Sequence, residues 1–320
     1  GTAFSKFYHA APDLRGRFGC WAIAEGGMGS VTRALARALR SCGGAIRLNA
    51  PVAHILFRRR RAAGVVLESG EEIEADAVLS NADPKTTLLK LTPKQALDDG
   101  VREKVARLDA KGSGVKINFA LSELPDFTSL PGTAIGAQHC GGIMVAPSVD
   151  YYDRAWQEAR EGRPATRPFS QMIIQSATDP TVAPEGKHTL SLWCHHFPYA
   201  LAHGDLDVER EKIADRMTDV LTELAPNFRS SVLARQTFVP ADIERVYGIE
   251  GGQIFHTELV PGQALWNRPI PGRNGHGDLV AGLYLCGAGT HPGGDVNGAP
   301  GYNAARAVLG DVGSAQLAGA

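Results

Sequence analysis

The chain has 320 residues, 43% hydrophobic and 21% charged, with a formal net charge of −1 and a sequence pI near 6.9. That length suits two globular domains. Near-neutrality excludes the electrostatic footprint of a nucleic-acid binder and gives no reason to expect binding to an anionic membrane surface.

Residues 1–24 mix glycine, arginine and aromatics without a period. Glu25 to Ser30 then leads into a helix whose apolar face is Val31, Leu35 and Leu39. Ser30 is the expected N-cap, and Gly43-Gly44 the expected stop. Strands are predicted at Ala45 to Leu48, Val52 to Phe57, Gly64 to Leu67 and Glu72 to Leu79. The basic run Arg58 to Arg61 reads as an exposed hairpin tip. Ala75 to Pro84 reads as a short buried strand ending in a turn. From Val115 the pattern alternates, as expected of antiparallel strands with one solvated face, and Gln171 to Gln175 and Thr189 to Trp193 continue it. A helix is predicted over Val208 to Leu224, with Ile213, Met217, Val220, Leu221 and Leu224 inward and Pro226-Asn227 as its stop. Ile249 to His256 reads as a glycine-interrupted strand, and Pro269 to Gly272 as a loop.

The most informative stretch comes last. Leu283 to Cys286 reads as a buried strand, followed by a glycine-rich loop and a helix from near Gly301. Six glycines lie from Gly287 to Gly301 inclusive. A strand feeding such a loop and helix aims backbone N–H groups and a positive helix end at one spot. It either binds an anionic group such as a pyrophosphate or is an ordinary tight connection. No G-x-S-x-G elbow and no P-loop is present.

The order of these patterns implies an α/β fold class, α+β overall: a partial Rossmann-like domain interrupted by an antiparallel-sheet domain. Residues 1–105 and 276–320 are expected to form the first, and 106–275 the second. The inserted domain is expected to roof the glycine-rich loop. Five cysteines without CxxC spacing argue against a disulfide framework and for a reducing compartment, cytoplasmic or the mitochondrial matrix of a eukaryote. No apolar run of about 18 residues reads as a membrane span. No signal peptide opens the chain, and Gly1 in place of Met is expected to mark a fragment or processing boundary.

Several segments together carry a family resemblance. They are GGMG at Gly26 to Gly29, GGAIRLNAPVAHI, GVVLESGEEIEADAVLSNADP, and the closing YLCGAGTHPGG and GAPGYNAA. LKLTP at Leu89 to Pro93, Asp179 to Leu192, Gly251 to His256 and Arg268-Pro269 add to them. In their joint order the chain resembles the phytoene-dehydrogenase-related FAD oxidoreductases from about Ala24 to Ala305. The resemblance implies FAD as cofactor, an apolar small-molecule substrate and hydride abstraction. Carotenoid isomerisation or amine oxidation on the same scaffold stays open.

The resemblance also implies a site. Val52 would pair its backbone with the adenine edge. Gly287, Ala288 and Gly289 would pass near the pyrophosphate. Asp295, Val296 and Asn297 would lie near the flavin end, with Gly298 and Ala299 at the mouth of the last helix. Gly26, Gly27 and Met28 would lie near the flavin and the substrate domain. Asp295 stands where the family usually has glycine; it would accept a ribityl hydroxyl or cap its own loop. His256 and His291 are weak acid–base candidates beside the ordinary reading of satisfied buried histidines. No metal is expected, since His195-His196 and His139-Cys140 lack zinc-site spacing.

One departure matters. The family opens on a strand–turn–helix with G-x-G-x-x-G, and no such motif occurs at the start of these residues. The chain therefore reads as the C-terminal portion of a family member. Its unfinished α/β domain is expected to be covered by a partner or by a second copy in a homodimer. That leaves a second class open, a non-catalytic binding module. An apolar substrate would also favour peripheral membrane contact.

Overall fold

The computed structural model describes residues 13–14, 16–18, 22–294 and 296–318. In chain order the strands are β1 (Asp13–Leu14), β2 (Arg17–Phe18), β3 (Val52–Arg58), β4 (Arg61–Leu67), β5 (Glu72–Glu74), β6 (Val78–Ser80), β7 (Gly114–Leu121), β8 (Gly142–Val145), β9 (Phe169–Ile173), β10 (His188–His195), β11 (Val232–Phe238) and β12 (Leu283–Leu285). The α-helices are α1 (Gly29–Ser41), α2 (Asp99–Ala106), α3 (Val149–Arg160), α4 (Leu206–Leu224), α5 (Phe228–Ser231), α6 (Pro240–Tyr247) and α7 (Ala299–Ala318).

The chain divides into two compact units, 1–46 with 113–240 and 47–112 with 241–320. Helices combine with antiparallel sheets in the first and with a short parallel pair in the second. The sequence reading grouped 1–46 and 241–275 the other way. Two sets of hydrogen bonds account for the observed grouping. Gly26 N–H donates to Asp179 Oδ2 at 2.7 Å. Gly112 N–H donates to Gly251 C=O at 2.8 Å, and Glu258 N–H to Asp109 C=O at 2.8 Å.

The first unit is built on a five-stranded antiparallel sheet of order β11-β7-β10-β9-β8. Alternation puts Val115, Ile117, Phe119 and Leu121 on one face of β7, with Leu190, Leu192 and Cys194 of β10 beside them. Ile213, Met217 and Leu221 of α4 belong to the same core. Asp205 caps α4, accepting from the Asp207 and Val208 N–H groups at 2.9 and 3.0 Å. Leu224, expected inward, is 39% exposed. α1 follows its predicted span, but Met28, not Ser30, precedes it and no side chain caps it. Its apolar stripe is uncovered: Leu35 is 65% and Leu39 46% exposed.

In the second unit β3, β4 and β5 form an antiparallel sheet, and β6 pairs in parallel with β12. Arg59 and Arg60, with φ of 50° and 64°, make the two-residue turn expected at the basic hairpin tip. Ile55, Ala62, Leu88, Val105, Leu283 and Leu285 lie in its core. Two predicted strands are absent. Residues 45–48 are irregular. The 249–256 segment turns instead of extending, because Gly251 and Gly252 adopt φ of 69° and 68°. A Cβ on Gly251 would lie 2.2 Å from Ala110 C=O, so glycine is required there. The predicted strand 72–79 is broken into β5 and β6.

Among the described residues no helix is long and apolar enough to cross a membrane, and Cys42, Cys140, Cys194 and Cys286 are free thiols.

Candidate functional site

β12 delivers the chain into the loop 286–298, and α7 follows. Cys286 N–H donates to Ser80 C=O at 2.9 Å, which carries the β6–β12 ladder into the loop. Thr290 donates to Gly287 C=O through both N–H and Oγ1, at 3.1 and 3.0 Å. A Cβ on Gly287 would lie 2.7 Å from Asn81 C=O and 3.0 Å from His256 Cε1. One on Gly289 would lie 2.4 Å from Pro84 Cδ. Protein thus fills the space that a side chain at either glycine would need. Gly289→Ala is predicted to lower stability by about 1–3 kcal/mol through overpacking against the proline ring. An unchanged urea midpoint would contradict this.

Arg268 holds the back of the loop and is 1% exposed. Its Nη1 donates to Phe255 C=O at 2.5 Å and Ala288 C=O at 2.6 Å; its Nη2 donates to Thr257 C=O at 2.8 Å. Ala288, expected beside a pyrophosphate, here presents its carbonyl to that guanidinium. Asp83 does similar work for the 81–84 turn. It is 1% exposed and accepts from Thr86 N–H, Thr86 Oγ1 and Glu250 N–H at 2.9, 2.7 and 3.1 Å.

His256 packs against Gly287 and Gly289 with φ of 66°. Burial, reinforced by the Arg268 charge and opposed by Asp83, lowers its pKa, favouring the neutral imidazole. His291 is tied through its carbonyl, which accepts from Asn303 Nδ2 at 3.2 Å. The Nδ1 atoms of His256 and His291 are both buried without a hydrogen-bond partner.

The start of α7 is more open. Asn297 Oδ1 accepts from Ala299 N–H at 2.8 Å, and Asn297 Nδ2 donates to Gly294 C=O at 2.9 Å. Val296 is 74% exposed. A Cβ on Gly298, where φ is 71°, would meet nothing within 4 Å, and one on Gly301 only Cys286 C=O at 4.0 Å. The first turn carries no acidic side chain. Open space at the positive end of a long helix, with two orphaned imidazole nitrogens in the adjoining segments, suits an electron-rich planar group. Asp295 lies outside the described residues.

The remaining expected site residues are divided between the units. Val52 opens β3 of the second unit, opposite Leu67. Gly26, Gly27 and Met28 belong to the first unit. Gly26 and Gly27 adopt φ of 74° and 77° in the turn before α1, and Met28 is 45% exposed. Hydrogen bonds from Thr181, then from Gly26 and Gly27, hold the Asp179 carboxyl below the usual carboxylate range.

Sequence reasoning passed over the second face of the five-stranded sheet. Register places Lys116 between Trp193 and Phe238, and Asn118 between Ser191 and Gln236. Lys116 Nζ donates to Ser191 Oγ at 2.5 Å, and Ser191 Oγ donates to Asn118 Oδ1 at 2.8 Å. Burial lowers the Lys116 pKa. A desolvated lysine on the less apolar face of a sheet is a candidate for proton handling. The signal in the sequence was a lysine at a strand centre flanked by Val115 and Ile117.

At the end of β10, His195 and His196 sit among rings. His195 stacks on Phe169 at 5.0 Å between centroids, and Trp156 lies 5.1 Å from His196. Burial, and for His195 also the neighbouring His196, pushes their pKa values down to about 3 and about 4. Both are neutral in the fold, whereas the unfolded chain takes up protons below about 6.5. Stability is therefore predicted to fall with pH from about 6.5 down to the folded values. Thermal unfolding of the parent and of His195→Phe across that window checks this. The variant should show the weaker pH dependence, and identical profiles would contradict it. Among the described residues no group of three His, Cys, Asp or Glu is placed to hold a metal ion.

Comparison with known proteins agrees with this architecture. The model of the family described as flavin containing amine oxidoreductase matches residues 9–309. A rat protein named pyridine nucleotide-disulfide oxidoreductase domain-containing protein 2 is 37% identical over 319 residues, covering 98% of this chain and 55% of its own length. A lycopene-forming phytoene desaturase of Pseudescherichia vulneris is 30% identical, covering 92% of this chain and 56% of its own. In fold, an oxidoreductase from Methanosarcina mazei matches with a TM-score of 0.58 at 23% identity, covering 93% of this chain and 56% of that one. The chain thus spans about half the length of the curated relatives it matches. It belongs to the flavin-containing amine oxidoreductase family.

Proposed function

We propose that the chain supplies the flavin-end and substrate-facing parts of an FAD-dependent oxidoreductase acting on an apolar substrate. The observation that carries this reading is the open first turn of α7, fed by the glycine loop, in a chain of a flavin-containing family. Gly298, Ala299 and Gly301 would receive the electron-rich edge of the ring system against the helix dipole. Asp295 would meet a ribityl hydroxyl, and Val52 would meet the adenine. When bound, FAD would supply a two-electron acceptor for hydride from a C–H bond, a proton leaving from the neighbouring carbon or nitrogen as the C–C or C–N bond becomes double.

The chain's own contribution is orientation and proton handling. The Lys116 face is the substrate surface in this reading. Trp193 and Phe238 offer apolar contact, and Ser191 and Asn118 keep the amine in place. Burial lowers the Nζ pKa from its ordinary value, which favours release of its proton.

Anaerobic mixing of FAD-loaded protein with a long polyene, a hydrophobic secondary amine and a short diamine tests the proposal. Loss of visible flavin absorbance with either apolar compound, and not with the diamine, is expected. Bleaching by the diamine alone, or by none of them, would refute it.

A further inference from the structure

Lys116 sits partly buried in β7, on the sheet face opposite Val115 and Ile117 of the core. Its Nζ donates to Ser191 Oγ at 2.5 Å, and Ser191 Oγ gives its single proton to Asn118 Oδ1 at 2.8 Å. With that proton committed, the hydroxyl can only accept from the amine. It therefore leaves the lone pair of a neutral Nζ unoccupied. The bond ties the amine to an uncharged oxygen and not to a carboxylate that would hold it as ammonium. Burial disfavours the charged form in the same sense.

Aromatic residues stand on both sides. Register sets Trp193 of β10 and Phe238 of β11 directly across from Lys116. The Trp193 indole reaches over Gly114, where a Cβ would lie 2.4 Å from its Cε2 and Cζ2 atoms, so the glycine leaves the space that the ring uses. Two residues along β7 the surface turns polar, with Asn118 opposite Gln236. An amine with a free lone pair, between aromatic walls and beside amide side chains, is a setting in which lysine attacks a carbonyl carbon. The walls limit the access of water to the bond formed, and an amide N–H can hold the departing oxygen.

We infer that Lys116 captures an apolar aldehyde or ketone as a reversible imine. Nζ bonds to the carbonyl carbon, the C=O bond breaks, and the oxygen leaves as water with both protons of the neutral amine. No oxidant or reductant takes part. The inference rests on the reading of this face as the substrate surface, and it names a carbonyl compound as what the surface holds. Oxidation of a C–N bond, followed by hydrolysis of the resulting imine, generates a compound of this class.

The test uses the full chain without flavin, so failure of the redox reading does not alter its outcome. The protein is incubated near neutral pH with decanal and sodium cyanoborohydride, which reduces each imine to a secondary amine. Peptide mapping then locates the labelled lysines. Lys116 is expected to label at least about tenfold faster than the exposed Lys111 and Lys187. Lys116→Arg, with its fold checked by circular dichroism, should lose that adduct and keep the slow ones. Glyceraldehyde in place of decanal should show no preference for Lys116, because it offers the rings nothing apolar. The inference is overturned if Lys116 labels no faster than Lys111 and Lys187 in the parent chain. Its restriction to apolar compounds is overturned if glyceraldehyde shows the same preference as decanal.

Discussion

Arg268→Ala should unfold the unit formed by 47–112 and 241–320, or lower its stability by about 3 kcal/mol or more. The guanidinium is almost wholly buried, and the carbonyls of Phe255, Thr257 and Ala288 depend on it. Truncation leaves these acceptors without a partner in a space too confined for bulk water, and each unmet buried group costs about 1–3 kcal/mol. A lysine side chain in its place would retain the charge but not the planar fork that reaches several carbonyls together. Arg268→Lys should therefore recover only part of the loss. Urea denaturation of both variants, followed by circular dichroism, measures the order. An alanine variant as stable as the parent would show that these bonds contribute nothing net.

Lys116→Met is expected to act in opposite directions on stability and turnover. The lysine is desolvated on the sheet, and its folded pKa lies below the unfolded 10.5. The charged form is therefore disfavoured by folding. The stability contribution is fully present above the unfolded value and is lost as pH falls through the folded one. Methionine keeps the stem and removes the charge, so stability near neutrality should rise by about 0.5–2 kcal/mol. The parent's gain in stability with alkaline pH should flatten in the variant. If Nζ carries a proton in the reaction, turnover should drop about 10²–10⁴-fold. Lys116→Arg should not restore it, because a guanidinium stays protonated. A destabilised Met variant, or one with full turnover, would count against the assignment.

What was legible in the sequence was whatever rests on local pattern. Val115 to Ala120 alternates because one face of β7 is core, and α4 shows its inward stripe at Ile213, Met217 and Leu221. The glycine loop between β12 and α7 was visible from composition alone. Features that depend on distant partners were not. Gly251 and Gly252 looked like interruptions of a strand, yet they turn the chain because Ala110 and Gly112 lie against them. Arg268 looked like one half of a short motif, and only the folded chain gathers the carbonyls of Phe255, Thr257, Glu258 and Ala288 around it. Lys116 read as the polar partner in an alternating strand. Its loss of water follows from Trp193 and Phe238, which come from strands far along the chain. Gly287 and Gly289 were read only as passing near a pyrophosphate, whereas Asn81, Pro84 and His256 lie where a side chain at either would have to go.

The measurement that reaches the central claim most directly is the visible absorption spectrum of the purified chain. It should be supplied with FAD and passed through a desalting column. The account predicts retained flavin absorbance at near one per chain. A correctly folded chain that is colourless would contradict it.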